Sequence, residues 1–141
     1  MSCETMSEEV LGEYTAKAHG GRINSYSVDF SARELRIDTE KDGARTVLRF
    51  EGLLAHQFEH AINDSVLYDV AEVPLGDFIA DEKKRLVKAL KYGFPAPVGG
   101  SLIGLRRKLR EKNYKVFSIR ACVGLCGYVI AKSVHADTTI E

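Results

Sequence analysis

No apolar run in this 141-residue chain approaches the 18 or more residues of a membrane-crossing helix, and no charged-then-apolar leader opens it. A soluble, cytoplasmic protein with no membrane partner is therefore expected. Cysteine is scarce and odd in number. Cys3, Cys122 and Cys126 do not make a disulfide framework, and buried reduced thiols are the simpler expectation. Glycine fingerprints for phosphate or dinucleotide binding are missing. Gly99-Gly100 precedes a helical pattern and offers backbone N–H groups to an anion, but no lysine–serine pair follows it. Repeats, low-complexity tracts and linkers are missing too, so residues 1–141 read as one domain. At 45% apolar and 28% charged residues, the chain can build a core without metal or disulfide support. No cofactor is expected.

Net charge is also missing, because 20 basic and 20 acidic residues cancel. Their distribution does not. Between Lys83 and Arg120 there are twelve basic residues and one acidic residue, Glu111; the rest of the chain holds eight basic and nineteen acidic ones. Such asymmetry either steers a charged partner or reflects basic helices lying against acidic strands.

Along the chain, Thr5-Met6-Ser7-Glu8 has capping-box spacing, and Val10, Leu11, Tyr14 and Ala18 follow at helical intervals. A short N-terminal helix is expected within 1–21. Strands then dominate 22–73. Tyr26, Val28 and Phe30 alternate with polar residues, as do Leu35 and Ile37, then Leu48 and Phe50, while Lys41-Asp42-Gly43 signals a tight turn. Residues 53–62 fit both a strand and a helix; short connectors and flanking strands favour the strand. Ser65 to Val73 supplies a fifth strand, giving a meander of about five.

Two basic amphipathic helices are predicted within 77–112. Asp77 caps one with Ile79, Leu86, Ala89 and Leu90 inward; Ser101 caps the other with Leu102, Leu105 and Leu109 inward. Residues 114–136 read as a hairpin over Val123-Gly124-Leu125. If Cys122 faces Cys126, then Phe117, Ile119 and Ala121 lie opposite Ala131, Val129 and Gly127 on one apolar face; whether the two cysteines bond stays open. Turn geometry accounts for Gly124 and Gly127. The fold class is α+β: an antiparallel sheet, two helices on one face, and a hairpin completing the sheet.

Chemistry-bearing patterns are few. His56-Gln57-Phe58-Glu59-His60 matches H-x-x-E-H, which on a helix sets two histidines on one zinc with the glutamate as general base. Neighbouring strands and the want of a third ligand make sheet histidines the simpler reading, and no metal site is assigned. Cys122-x-x-x-Cys126 has neither redox nor zinc-ribbon spacing, and a Cys–His nucleophile with His135 is the weakest option. Asp69, Glu72, Asp77, Asp81 and Glu82 form an acidic run that suits a cation or, more simply, a helix start. The basic 83–115 segment would suit phosphates, yet its aromatic residues, Tyr92 and Phe94, fall in a connector, so nucleic acid is not the favoured ligand.

Three stretches carry a resemblance: Phe50-Glu51-Gly52 leading to Phe58-Glu59, Lys91-Tyr92-Gly93-Phe94-Pro95, and Gly124 through Ala131. Together they resemble small bacterial proteins, some of which look like immunity proteins of polymorphic or contact-dependent toxin systems. The resemblance implies an α+β domain that neutralises a toxin by binding it, and it brings no catalytic residues. A non-enzymatic protein-binding module is the expectation, with a basic toxin held by the acidic sheet segment. Asp69, Glu72, Arg120 and Tyr128 are the residues expected to meet it. A zinc hydrolase using His56, Glu59 and His60 is the alternative; nucleic-acid binding through 83–115 is the third.

Overall fold

The computed structural model describes residues 9–10 and 19–140. The expected N-terminal helix lies outside them, apart from Glu9–Val10, which form a two-residue strand, β1. The other strands are β2 (Arg22–Asp29), β3 (Glu34–Lys41), β4 (Ala44–Glu51), β5 (Ala55–Glu59), β6 (Val66–Val73), β7 (Lys115–Val123), β8 (Cys126–Ala131) and β9 (Ser133–Ile140). All pair antiparallel in one sheet ordered β5-β8-β7-β6-β2-β3-β4-β9, with β1 attached to β6.

Local pattern explains β2, β3 and β4. Leu35, Ile37, Leu48 and Phe50 are fully buried, and the residues between them stay more open, as alternation on a half-buried sheet demands. Asp42 and Gly43 both have positive φ, which a two-residue turn matched to strand twist requires. A bulge at Asn24 resets the alternation of β2, so that Ile23 and Tyr26, three apart, both align with inward residues of β3, Thr39 and Ile37.

The five-strand meander is corrected to three strands. After β4 the chain crosses to the far end of the sheet, where β5 pairs with β8, and returns as β6 beside β2. Residues 53–62 do contain a strand. The C-terminal segment, expected to end with the hairpin, adds β9 along the whole of β4. Hairpin register differs by two residues: Phe117 lies opposite Val129 and Ile119 opposite Gly127. A shift of two keeps every side chain on its face while changing its neighbour, and alternation alone is blind to it.

The sheet curls on itself. One core joins Leu35, Ile37, Leu48 and Phe50 to Val70, Phe117, Ile119 and Val129, with the Phe50 and Phe117 rings 5.6 Å apart. The corner is sealed where Lys132 N–H donates to the Glu51 carbonyl (2.9 Å) and Leu54 N–H to that of Ile130 (2.8 Å). A second core lies outside the curl. There α1 (Leu75–Asp81), α2 (Lys83–Ala89) and α3 (Leu102–Glu111) pack Phe78, Leu86, Leu105 and Leu109 onto Val73, Val116, Tyr128 and Ile130. Buried on both faces, β8 is almost continuously apolar.

The first basic helix starts at Leu75 after Pro74, two residues before the expected cap, and leaves Asp77 in its first turn. It is interrupted at Glu82, although Glu82 N–H still bonds the Phe78 carbonyl and Leu86 N–H that of Glu82. Ser101 does cap α3, its hydroxyl accepting from Gly104 N–H at 3.0 Å.

Candidate functional site

The H-x-x-E-H residues lie on strand β5 and the turn after it, not on a helix. His56 is half-buried beside Phe58, ring centroids 5.3 Å apart, and desolvation lowers its pKa. Glu59 turns to Arg85 of α2, whose guanidinium hydrogen bond holds the carboxyl below its usual range. His60 leaves the strand with φ of 57° and sets its Nδ1 3.8 Å from Cys126 Sγ. No group of three or more His, Cys, Asp or Glu suited to a metal forms among the described residues. What β5 does carry is a fastening. Glu59 ties the edge strand to α2, and Phe58 meets Tyr26 of β2 edge-on at 5.1 Å.

The residues expected to face a partner are distributed by the sheet. Asp69 and Arg120 sit opposite each other on β6 and β7 in a two-pronged ion pair, mostly buried, with the guanidinium also 5.3 Å from the Tyr68 ring. Glu72 lies 3.7 Å from Lys115 at the surface. Tyr128 is only 2% exposed, packed edge-on against Phe78 at 4.8 Å; burial first, and the Glu82 charge second, push its pKa up. Its outward face is covered by helices, so Tyr128 belongs to the core. The acidic run is likewise dispersed, with Glu82 buried and Asp77 and Asp81 exposed on α1.

Cys126 is disulfide-bonded and Cys122 is free and exposed, so the two do not pair with each other; the expectation of buried thiols is corrected. His135 meets Ser133 and Glu51 on the opposite edge of the sheet. A cleft of 1110 Å³ opens between Arg22–Tyr26 and Ala61–Ser65. Ser65, its buried hydroxyl, is occupied structurally: it donates to the Ile62 carbonyl at 2.8 Å and accepts from Leu125 N–H at 3.0 Å.

The charge layout depends on pairings between strands that the sequence does not show. Most carboxylates of the sheet meet a cation: within the sheet Glu34 meets Arg36, Asp38 meets Arg45, Glu40 meets Arg22 and Asp137 meets Arg49, while Glu59 meets Arg85 of α2. The Asp42–Gly43 hairpin already carried the signal, since its register sets Glu40 opposite Arg45 with Asp38 on the diagonal. On the helical layer, by contrast, Lys83, Lys84, Lys88 and Lys91 form no ion pair with a described residue. The same holds for Arg106, Arg107, Lys108, Arg110 and Lys112. Apolar groups stand exposed among them, Tyr92 at 90%, Ile103 at 75% and Val87 at 47%. Ile103, Arg106, Arg107 and Arg110, with the carboxylate residue Glu111, line one concavity of 440 Å³ on α3.

No family model, curated protein or solved structure matches the chain. Its class is that of an α+β domain built on an antiparallel sheet, and no helix among the described residues is long and apolar enough to cross a membrane.

Proposed function

We infer that the chain is a non-catalytic protein-binding module whose partner presents an acidic surface to helices α2 and α3. The observation that carries this is the contrast between a sheet most of whose carboxylates meet a cation and a helical layer whose nine cations pair with no described residue. Unpaired charge is what a distant partner senses, and complementary potential raises the association rate. Exposed Ile103 beside Arg106, Arg107 and Arg110 supplies the apolar and guanidinium contacts that dominate protein interfaces, and Tyr92 adds an exposed aromatic ring. The resemblance to immunity proteins suggests a toxin neutralised by direct binding, but the partner's charge is the reverse of that expected from the sequence.

A random peptide display panned against the protein tests this reading. Acidic sequences with interspersed apolar residues should be enriched, and Arg106→Glu/Arg107→Glu/Arg110→Glu should abolish that enrichment. Affinity of the recovered peptides should fall as salt rises. Enrichment of neutral or basic sequences would overturn the reading. Tighter binding of a duplex or single-stranded DNA oligonucleotide than of any peptide would transfer the surface to nucleic acid, with the steep salt dependence that phosphate contacts impose.

A further inference from the structure

The two ends of the sheet are finished differently. At one end β5 is only five residues long, and it stops at His60 with a left-handed backbone. At the other end β9 runs eight residues in unbroken register with β4, without bulge, proline, glycine or lysine. Its second edge pairs with no strand among the described residues. A long, regular edge that neither bulge, proline nor lysine interrupts is a template for another strand, Asp137 being its one charged carboxylate residue. Ile140, near its end, is 84% exposed.

We propose that β9 pairs with β9 of a second copy of this chain, antiparallel about Ala136, to join two sheets into one. The argument for a second copy is charge. Residues directly opposite in an antiparallel pair must point to the same face, so self-pairing is confined to registers in which a residue meets its own copy or one an even number away. Two such registers give the longest overlap, seven pairs each. Centred on Asp137, the two Asp137 carboxylates meet, and like charges directly opposite are unfavourable. Centred on Ala136, His135 of each copy lies opposite Asp137 of the other, twice across the interface, with Val134 against Thr138 and the small Ala136 on the axis. Neither group is locked away: Asp137 contacts Arg49 at 2.8 Å and His135 contacts Glu51 at 3.7 Å, both exposed on the open face of the sheet.

Sedimentation of the full chain from about 10 μM to about 1 mM, a span suited to micromolar and weaker contacts, reads the outcome. Mass should double with concentration. His135→Asp should leave a monomer, because the new carboxylate then faces Asp137 of the second copy. His135→Asp/Asp137→Lys should restore the dimer by setting a lysine of each copy opposite the new carboxylate of the other, and this rescue separates pairing from damage to folding. A thermal melt of dilute protein shows whether each variant folds. Three results would overturn the proposal: a wild type monomeric throughout, a dimer indifferent to His135→Asp, or a double variant that stays monomeric. A monomer whose outward β9 amides are nevertheless protected from exchange would give the edge to the chain's own segment instead. The helical surface plays no part in this experiment, so its outcome is independent of the acidic-partner reading.

Discussion

Gly127 shows how little a single letter says before its neighbours are placed. In the sequence it belongs with Gly124 to a turn, and Gly124 does sit there, with φ of 84°. Gly127 lies inside β8, opposite Phe58 of the edge strand, and a Cβ on it would stand 1.9 Å from the Gln57 carbonyl oxygen. The absent side chain is what lets β5 approach. Gly43 offers the control, since it has φ of 80° and nothing within 4 Å of its virtual Cβ. Gly43→Ala should cost about 1 kcal/mol for the backbone conformation alone. Gly127→Ala adds a steric clash and should cost about 2–4 kcal/mol in urea melts, with loss of amide protection confined first to 55–59. Equal costs at the two sites would mean that β5 lifts away without penalty. Asp69 and Arg120 make the same point, because only the β6–β7 register turns two separate surface-looking charges into one pair.

At the scale of elements, β5 pairs with β8 along its whole length, and two of its side chains have shifted pKa values. Burial lowers the His56 pKa, so the folded state prefers the neutral ring. Its contribution is complete above the unfolded value of about 6.5 and is lost as pH falls through the folded pKa. The Arg85 hydrogen bond lowers the Glu59 pKa, so that contribution is complete above about 4.3 and is lost on further acidification. Acid should therefore loosen β5 in two stages. His56→Gln should remove the first from the pH profile of the melting temperature, and the gap between wild type and Glu59→Gln should close at the acid end. A profile unchanged by either substitution would show that the backbone ladder to β8 and apolar contacts hold β5 without these two groups.

The elements also show what could be read in advance. β2, β3, β4 and α3 were legible because their burial follows a local period and a local cap. Placement was not legible, because period assigns faces and leaves neighbours open. β5, β6 and β9 each pair with a strand far away in sequence. The polar run Ser133–Ile140 carries too little alternation to announce a strand at all. The candidate surface was legible as a basic segment, but its meaning depended on which carboxylates the sheet would consume.

The whole molecule has two cores and one sheet between them. The curled interior and the helical layer meet across β7 and β8, where Phe117 and Val129 face one core while Val116 and Ile130 face the other. Neither core has a wall of its own on that side, so loss of one exposes the strands on which the other rests. This predicts a single cooperative transition. Leu105→Ala, in the helical layer, and Phe50→Ala, inside the curl, should each cost about 3–5 kcal/mol. Each should lower the melting temperature by roughly 10 °C. Far-ultraviolet dichroism follows both helix and sheet, and the near-ultraviolet signal follows Tyr114 and Tyr128 in the outer core. In both variants the two signals should be lost together. If Leu105→Ala instead melted the tyrosine environment first and left sheet dichroism intact, the helical layer would be a separable unit. Its basic face could then be presented or withdrawn without unfolding the sheet.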